Sequence, residues 1–205
     1  MKLPRLYPIL DTSVAAACAC SPREAAQAML QVGVEILQWR HKGPLTREAF
    51  ELAAALAEDC KGITYVINDR ADLAALFGAT LHLGQDDLPP SAALRLAPSI
   101  GFSTHNEDQL QAANQEPVEY HALGPIFSTA SKEKPDPEVG LSNLQKWRPL
   151  SERPLVAIGG ITLATAPGVL EAGADSVAVI GALLAPGADA TSIEQITRQW
   201  LRTLA

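Results

Sequence analysis

The stretch "TYVINDRADLAALFGATLHLGQDD", residues 64–87, decides the fold. "TYVIN" (64–68) is a short run of β-branched and aromatic residues and reads as a strand. "RADLAALFG" (70–78) has helical spacing and closes on a glycine, a common helix stop. "TLHLG" (80–84) is a second strand. Strand, helix and strand in succession make a βαβ unit with parallel strands. The unit leaves its second strand straight into two adjacent carboxylates, Asp86 and Asp87.

The same alternation extends in both directions. Strands are expected at 6–10, 35–40, 99–103, 120–124, 154–159 and 176–181, which makes eight with the two above. Helices are expected at 21–33, 46–60, 90–97, 106–114, 141–147, 162–173 and 192–204. Ser21 before Pro22, and Thr46, are good first-turn signals. Eight strand–helix pairs in 205 residues suit an α/β chain folded as one (β/α)8 barrel domain, residues 1–205. A doubly wound open sheet is the alternative, but its glycine fingerprint is missing: the first strand runs into "DTSVAAACAC". The longest irregular stretch, 125–140, follows the sixth strand and is expected to cover an active site.

Composition narrows the classes. Hydrophobic residues make up 47% of the chain, and the net charge is −7. That describes a globular protein without the basic face that nucleic acid requires. No apolar run reaches the roughly 18 residues of a membrane span, and "MKLPRLYPILD" does not read as a signal peptide. A cytoplasmic protein is expected, and a homo-oligomer is compatible with the sequence. Cys18, Cys20 and Cys60 read as free thiols, with Cys18 and Cys20 as a metal or redox pair the lesser alternative.

A barrel of this kind builds its site at the C-terminal ends of its strands. After the second strand, "QWRHK" puts Gln38 and Arg40 on one face, with Lys42 just beyond. Two cations there suggest a phosphate, diphosphate or carboxylate; a surface Arg–Lys pair is the plainer reading. The third strand ends at Asn68 and Asp69, and the fourth leads to Asp86 and Asp87. Taken singly, these acids cap helices. On neighbouring strands, Asp69 and one of the pair would face each other, and a cation relieves such repulsion. Mg2+ takes one or two carboxylates plus substrate phosphate oxygens. After the fifth strand, "STHN" offers Ser103, His105 and Asn106 for substrate contact or proton transfer, or as a helix cap and a structural histidine. After the sixth come Thr129, Ser131 and Lys132. The seventh and eighth lead into "IGGIT" and "VIGA", whose small residues let backbone N–H groups approach a phosphate; crowding at the strand end is the other reason for Gly159 and Gly160. One charged zone and one neutral zone suit the joining of a diphosphate and a monophosphate substrate with loss of diphosphate.

"QWRHK", "INDRADLA", "HLGQDD", "STHN", "GPIFSTASK", "AIGGIT" and "GADSVAVIGAL" occur in the order seen in thiamine-phosphate synthases, which the chain resembles over nearly its whole length. The resemblance implies a barrel transferase of thiamine biosynthesis. It would couple a hydroxymethylpyrimidine diphosphate to a thiazole phosphate (carboxylate), giving thiamine phosphate and diphosphate. It places Gln38, Arg40, Lys42, Asn68, Ser103 and Lys132 at the pyrimidine diphosphate. Asp69 and Asp87 would hold Mg2+, with Asp86 the fallback. Thr129, Ser131, Gly160, Ile180 and Gly181 would hold the thiazole phosphate. Arg40, Lys42 and Lys132 would be the catalytic cations. The chain departs from the pattern at His41 (usually an acid), Ser128 (usually Pro), Ser131 (usually Thr) and Gly181 (usually Ser). Two rivals remain: a thiazole tautomerase using His105, and a non-catalytic barrel that binds a thiamine precursor. The paired acids argue against both.

Overall fold

A computed structural model of the chain describes residues 3–128 and 136–205. The strands are β1 (Leu6–Asp11), β2 (Ile36–Arg40), β3 (Thr64–Asn68), β4 (Thr80–Leu83), β5 (Ile100–Thr104), β6 (Tyr120–Leu123), β7 (Leu155–Ile158) and β8 (Ser176–Val179). Each pairs in parallel with the next, and β8 pairs with β1, so the sheet closes into a barrel. The helices around it are α1 (Thr12–Ala15), α2 (Pro22–Gln31), α3 (Arg47–Asp59), α4 (Ala71–Phe77), α5 (Pro90–Ala93), α6 (Glu107–Ala113), α7 (Gly140–Trp147), α8 (Ala166–Glu171) and α9 (Ala190–Thr203).

All eight expected strands are present, and the differences lie in the helices. Ser21 closes a capping box with Glu24, and Thr46 accepts from the Ala49 N–H, as the sequence suggests. The helix expected over 90–97 shrinks to the single turn of α5, because Leu94 and Leu96 face solvent and nothing holds a second turn. The one expected over 162–173 starts late. Thr162 and Thr165 bond to each other in a turn, and Pro167 fits only the first turn of a helix. Helix α1 is an addition to the expected set: the Asp11 carboxylate accepts from the Ser13 and Val14 N–H groups and caps it.

Alternation along the strands divides the apolar residues into two layers. Leu37, Trp39, Ile67, Leu81, Leu123 and Leu155 point outward under the helices. Tyr7, Ile9, Ile36, Val66, Tyr120, Ala122, Val156 and Ala178 fill the interior. Two tyrosines fit inside because β5 offers them Gly101. A Cβ at that position would lie 2.0 Å from Cζ of Tyr120. Cys60 is buried, and burial pushes its thiol up to about 12. Burial also raises Cys18 and Cys20, whose thiols face the carbonyls of Ala185 and Ala188, so both are held as thiols rather than reactive thiolates. No helix among the described residues is long and apolar enough to cross a membrane.

Replacing Gly101 with alanine should therefore lower stability by about 3 kcal/mol through overpacking against Tyr120. Urea denaturation measures it; an unchanged midpoint would contradict this arrangement of the interior.

Candidate active site

A cavity of about 750 Å³ opens at the C-terminal end of the barrel. Among the residues singled out from the sequence, Gln38, Arg40, Lys42, Asn68, Asp69, Asp86, Asp87, Ser103, His105, Gly160, Ile180 and Gly181 all line it. Thr129, Ser131 and Lys132 lie outside the described residues.

Neither described cation is free. Arg40 donates to Asp11 and Lys42 donates to Asp69. Asp11 is 2% exposed, and its carboxylate also accepts from the Ser13 hydroxyl at 2.5 Å. Burial pushes the Asp11 carboxyl up, but the Ser13 and Val14 hydrogen bonds and the Arg40 guanidinium outweigh it and hold the group below its usual value. The sequence reading missed Asp11. A signal was present: Asp11 and Arg40 both end their strands and are register partners between β1 and β2.

Asp69 is the one non-glycine with a positive φ, 61°, among the described residues. Aspartate tolerates this left-handed region better than most residues, but at a cost of roughly 1–3 kcal/mol. The Asp69 N–H donates to the His82 carbonyl at 2.9 Å, which pins β3 to β4 where both end. The carboxylate then lies between Lys42 and Asp87. Asp87 accepts from the Gly84 N–H at 2.7 Å and reaches hydrogen-bonding contact with Asp69. Burial, then the neighbouring Asp69 carboxylate, raises the Asp87 carboxyl above its usual value. Neither acid caps a helix: the N-cap residues of α4 and α5 are Arg70 and Pro89, and neither makes a side-chain cap bond. Asp86 is exposed at the cavity rim, so Asp87 is the acid that faces Asp69.

The cavity floor is polar. The Gln38 side-chain N–H donates to the Tyr7 hydroxyl at 2.9 Å. The Tyr7 and Tyr120 hydroxyls are 2.7 Å apart, and the Tyr120 hydroxyl is 3.0 Å from Nδ1 of His82. Nε2 of His82 lies 2.9 Å from the Ser103 hydroxyl. Beside this chain, the Asn68 side-chain N–H is buried without a partner among the described residues, and Asn68 lines the cavity. An unpaired buried donor costs about 1–3 kcal/mol, which a ligand acceptor would recover. Tyr7, Tyr120 and His82 were likewise missed, because inward-facing residues short of the C-terminal strand ends give no local signal of polar contact.

The glycines after β7 serve close packing as well as access. A Cβ on Gly159 would meet Pro125 Cα at 2.6 Å, and one on Gly160 would meet the Ser128 carbonyl at 2.4 Å. Phe127 donates its N–H to the Gly159 carbonyl, so the loop after β6 rests on these glycines. Among the described residues, the N–H groups of Gly160, Ile161, Gly181 and Ala182 donate to no backbone carbonyl, and all four residues line the cavity. They form a neutral donor cradle suited to a phosphate. His105 sits at the rim, with Nδ1 donating to the Gly124 carbonyl at 2.6 Å and lying 3.6 Å from the Asp136 carboxylate. Asn106 caps α6.

A closed parallel barrel with donors, acids and cations gathered at its C-terminal mouth is an arrangement that can take a phosphorylated ligand. Residues 6–183 match the family model described as thiamine monophosphate synthase. The thiamine-phosphate synthase of Koribacter versatilis (strain Ellin345) is 46% identical over 194 residues, covering 90% of each chain. That of Chloroflexus aurantiacus is 36% identical, covering 88% of this chain and 85% of its own. A solved thiamine phosphate pyrophosphorylase from Pyrococcus furiosus superposes with a TM-score of 0.80 at 27% identity, over 98% of this chain and 97% of that one. The chain belongs to the thiamine monophosphate synthase family, and it is a transferase.

Asp87 carries a linkage prediction. Its folded-state pKa is raised, so its ionisation weakens the fold as pH climbs from about 3.8 through the folded value. Asp87→Asn keeps the bond to Gly84 and removes that penalty. In metal-free buffer the variant should melt above the wild type at pH 7, with the difference gone below pH 3.8. A variant that melts lower at pH 7 would contradict the facing-acid geometry.

Proposed function

We propose that the chain joins a hydroxymethylpyrimidine diphosphate to a thiazole phosphate, using Mg2+ held between Asp69 and Asp87. One observation carries the metal. Among the described residues, Arg40 and Lys42 already pair with Asp11 and Asp69, and the Asp87 carboxylate faces Asp69. A diphosphate entering such a cavity alone would meet net repulsion. No group of three or more His, Cys, Asp or Glu side chains that could hold a metal occurs among the described residues. Two facing carboxylates suit an ion that completes its shell with substrate oxygens and water. Bound there, Mg2+ supplies charge neutralisation for the departing diphosphate.

The chain's own residues do the rest. Lys42 and Arg40 would face the diphosphate with the donors that Asp69 and Asp11 leave open. Lys132 adds a third cation by the family resemblance. Gln38, Asn68 and Ser103 hold the pyrimidine ring on the polar floor. The donor cradle around Gly160 and Gly181 holds the thiazole phosphate, with Ile180 beside it and, by the family resemblance, Thr129 and Ser131. The C–O bond to the diphosphate breaks, the electron-rich aminopyrimidine spreads the positive charge, and the thiazole nitrogen attacks the same carbon. This scheme uses positioning and electrostatics and needs no strong base.

Incubation with both phosphorylated precursors and Mg2+ should give thiamine phosphate and diphosphate. Conversion of a thiazole tautomer without metal, and no coupling, would instead favour the His105 tautomerase. Asp87→Ala should lower kcat by roughly 10²–10³-fold, the usual loss for one transition-state stabiliser, with the fold retained by circular dichroism. An unchanged rate would reduce Asp87 to a loop residue. Gly181 offers a gain-of-function test. A Cβ there meets nothing within 4 Å. Gly181→Ser should therefore fit and add a hydroxyl donor to the phosphate, lowering the thiazole-phosphate KM about tenfold. No change in KM would place the phosphate elsewhere.

A further inference from the structure

We propose that Tyr7, Tyr120 and His82 are positioning residues that form a one-way hydrogen-bond relay through the barrel. The relay makes Gln38 present its amide oxygen, and Ser103 its hydroxyl proton, to the bound pyrimidine. It thereby selects a 4-aminopyrimidine over its 4-oxo counterpart. The inference rests on the reading that the cavity floor takes the pyrimidine.

Direction follows from counting protons. Each tyrosine hydroxyl has one proton, because burial raises both tyrosines well above their usual values. The His82 ring is buried with a hydroxyl at each nitrogen, and a second ring proton would oppose the Tyr120 O–H, so the network pairs every group only when the ring has a single N–H. Gln38 donates to Tyr7. The Tyr7 proton then goes to Tyr120, and the Tyr120 proton goes to His82 Nδ1. The ring proton is therefore on Nε2 and is donated to Ser103. Ser103 already accepts from His82, so its own proton points into the cavity. At the other end, the Gln38 amide oxygen has no partner among the described residues, and Gln38 lines the same cavity. Reversing one link leaves a buried group unpaired, so the chain reverses as a whole or not at all.

The two directions suit different ligands. An aminopyrimidine donates from its exocyclic amino group and accepts at a ring nitrogen. The 4-oxo form accepts at its exocyclic oxygen and donates from a ring N–H. The observed direction pairs with the first pattern and opposes the second at both ends. A site whose buried polar groups are left unpaired rejects a ligand strongly.

Two measurements test the relay. The first is 15N NMR of histidine-labelled wild-type protein, with His82 assigned by its loss in His82→Gln. The relay requires a bare Nδ1 and a protonated Nε2 from pH 6 to 8; an Nδ1–H tautomer or a charged ring overturns it. The second is calorimetry with hydroxymethylpyrimidine diphosphate and its 4-oxo analogue, each with Mg2+, on wild type and Tyr120→Phe. Wild type should prefer the amino compound by about 100-fold or more. Tyr120→Phe should shrink that preference at least tenfold and leave Mg2+–diphosphate affinity unchanged. An unchanged preference overturns the relay while leaving the pyrimidine assignment standing. Failure of wild type to bind either pyrimidine overturns both. The NMR measurement uses wild-type protein and decides the direction even if Tyr120→Phe does not fold.

Discussion

Pairing of β1 with β8, Leu6 beside Val177 and Tyr7 beside Ala178, turns a twisted sheet into a ring with no edge. Every functional placement depends on that closure. It brings the neutral cradle after β7 and β8 next to the charged ends of β1 to β4. It also makes an interior that side chains from distant strands must fill together. Tyr7 and Tyr120 meet there edge-to-face with ring centroids 6.0 Å apart, and Gly101 makes room for them. The barrel's lower interior is thus a packed core whose upper surface is hydrogen-bonded and polar.

Above that floor, charge is arranged under tension. Arg40 and Lys42 are each held by an aspartate, so the clamp is neutralised before any ligand arrives. Asp69 and Asp87 face each other against their mutual repulsion, and Asp69 does so from a left-handed backbone. Such strain persists where surrounding structure enforces it; here β3 and β4 do so through the Asp69–His82 backbone bond. The arrangement is poor for the stability of the isolated fold and well suited to a divalent ion with a phosphorylated substrate.

Fold and site share residues rather than dividing them. Gly159 and Gly160 admit the loop after β6 at backbone contact distance, and the same lack of side chains leaves the adjoining N–H groups open to a phosphate. Asp11 caps α1 and anchors Arg40 with one carboxylate. A substitution at either place would disturb packing and binding together.

Local pattern alone was enough to show eight strands, their order, and the polar residues that end them. Gln38, Arg40, Lys42, Asn68, Asp69, Asp87 and Ser103 could be picked out because strand alternation and strand ends are readable within a few residues. The helix ends at 90–97 and 162–173 were misjudged, since apolar spacing does not say whether a neighbour exists to cover the turn. Periodicity could not choose between Asp86 and Asp87 either. The family resemblance pointed to Asp87, and its placement against Asp69 came with the fold. Asp11 and Arg40 are 29 residues apart, and the Tyr7–Tyr120 bond spans 113. Contacts at such separations are set by the register of a closed barrel. The sequence by itself therefore determined which residues stand at the mouth, and only the tertiary structure decided which of them touch, because touching across a ring depends on closure rather than on neighbours in the chain.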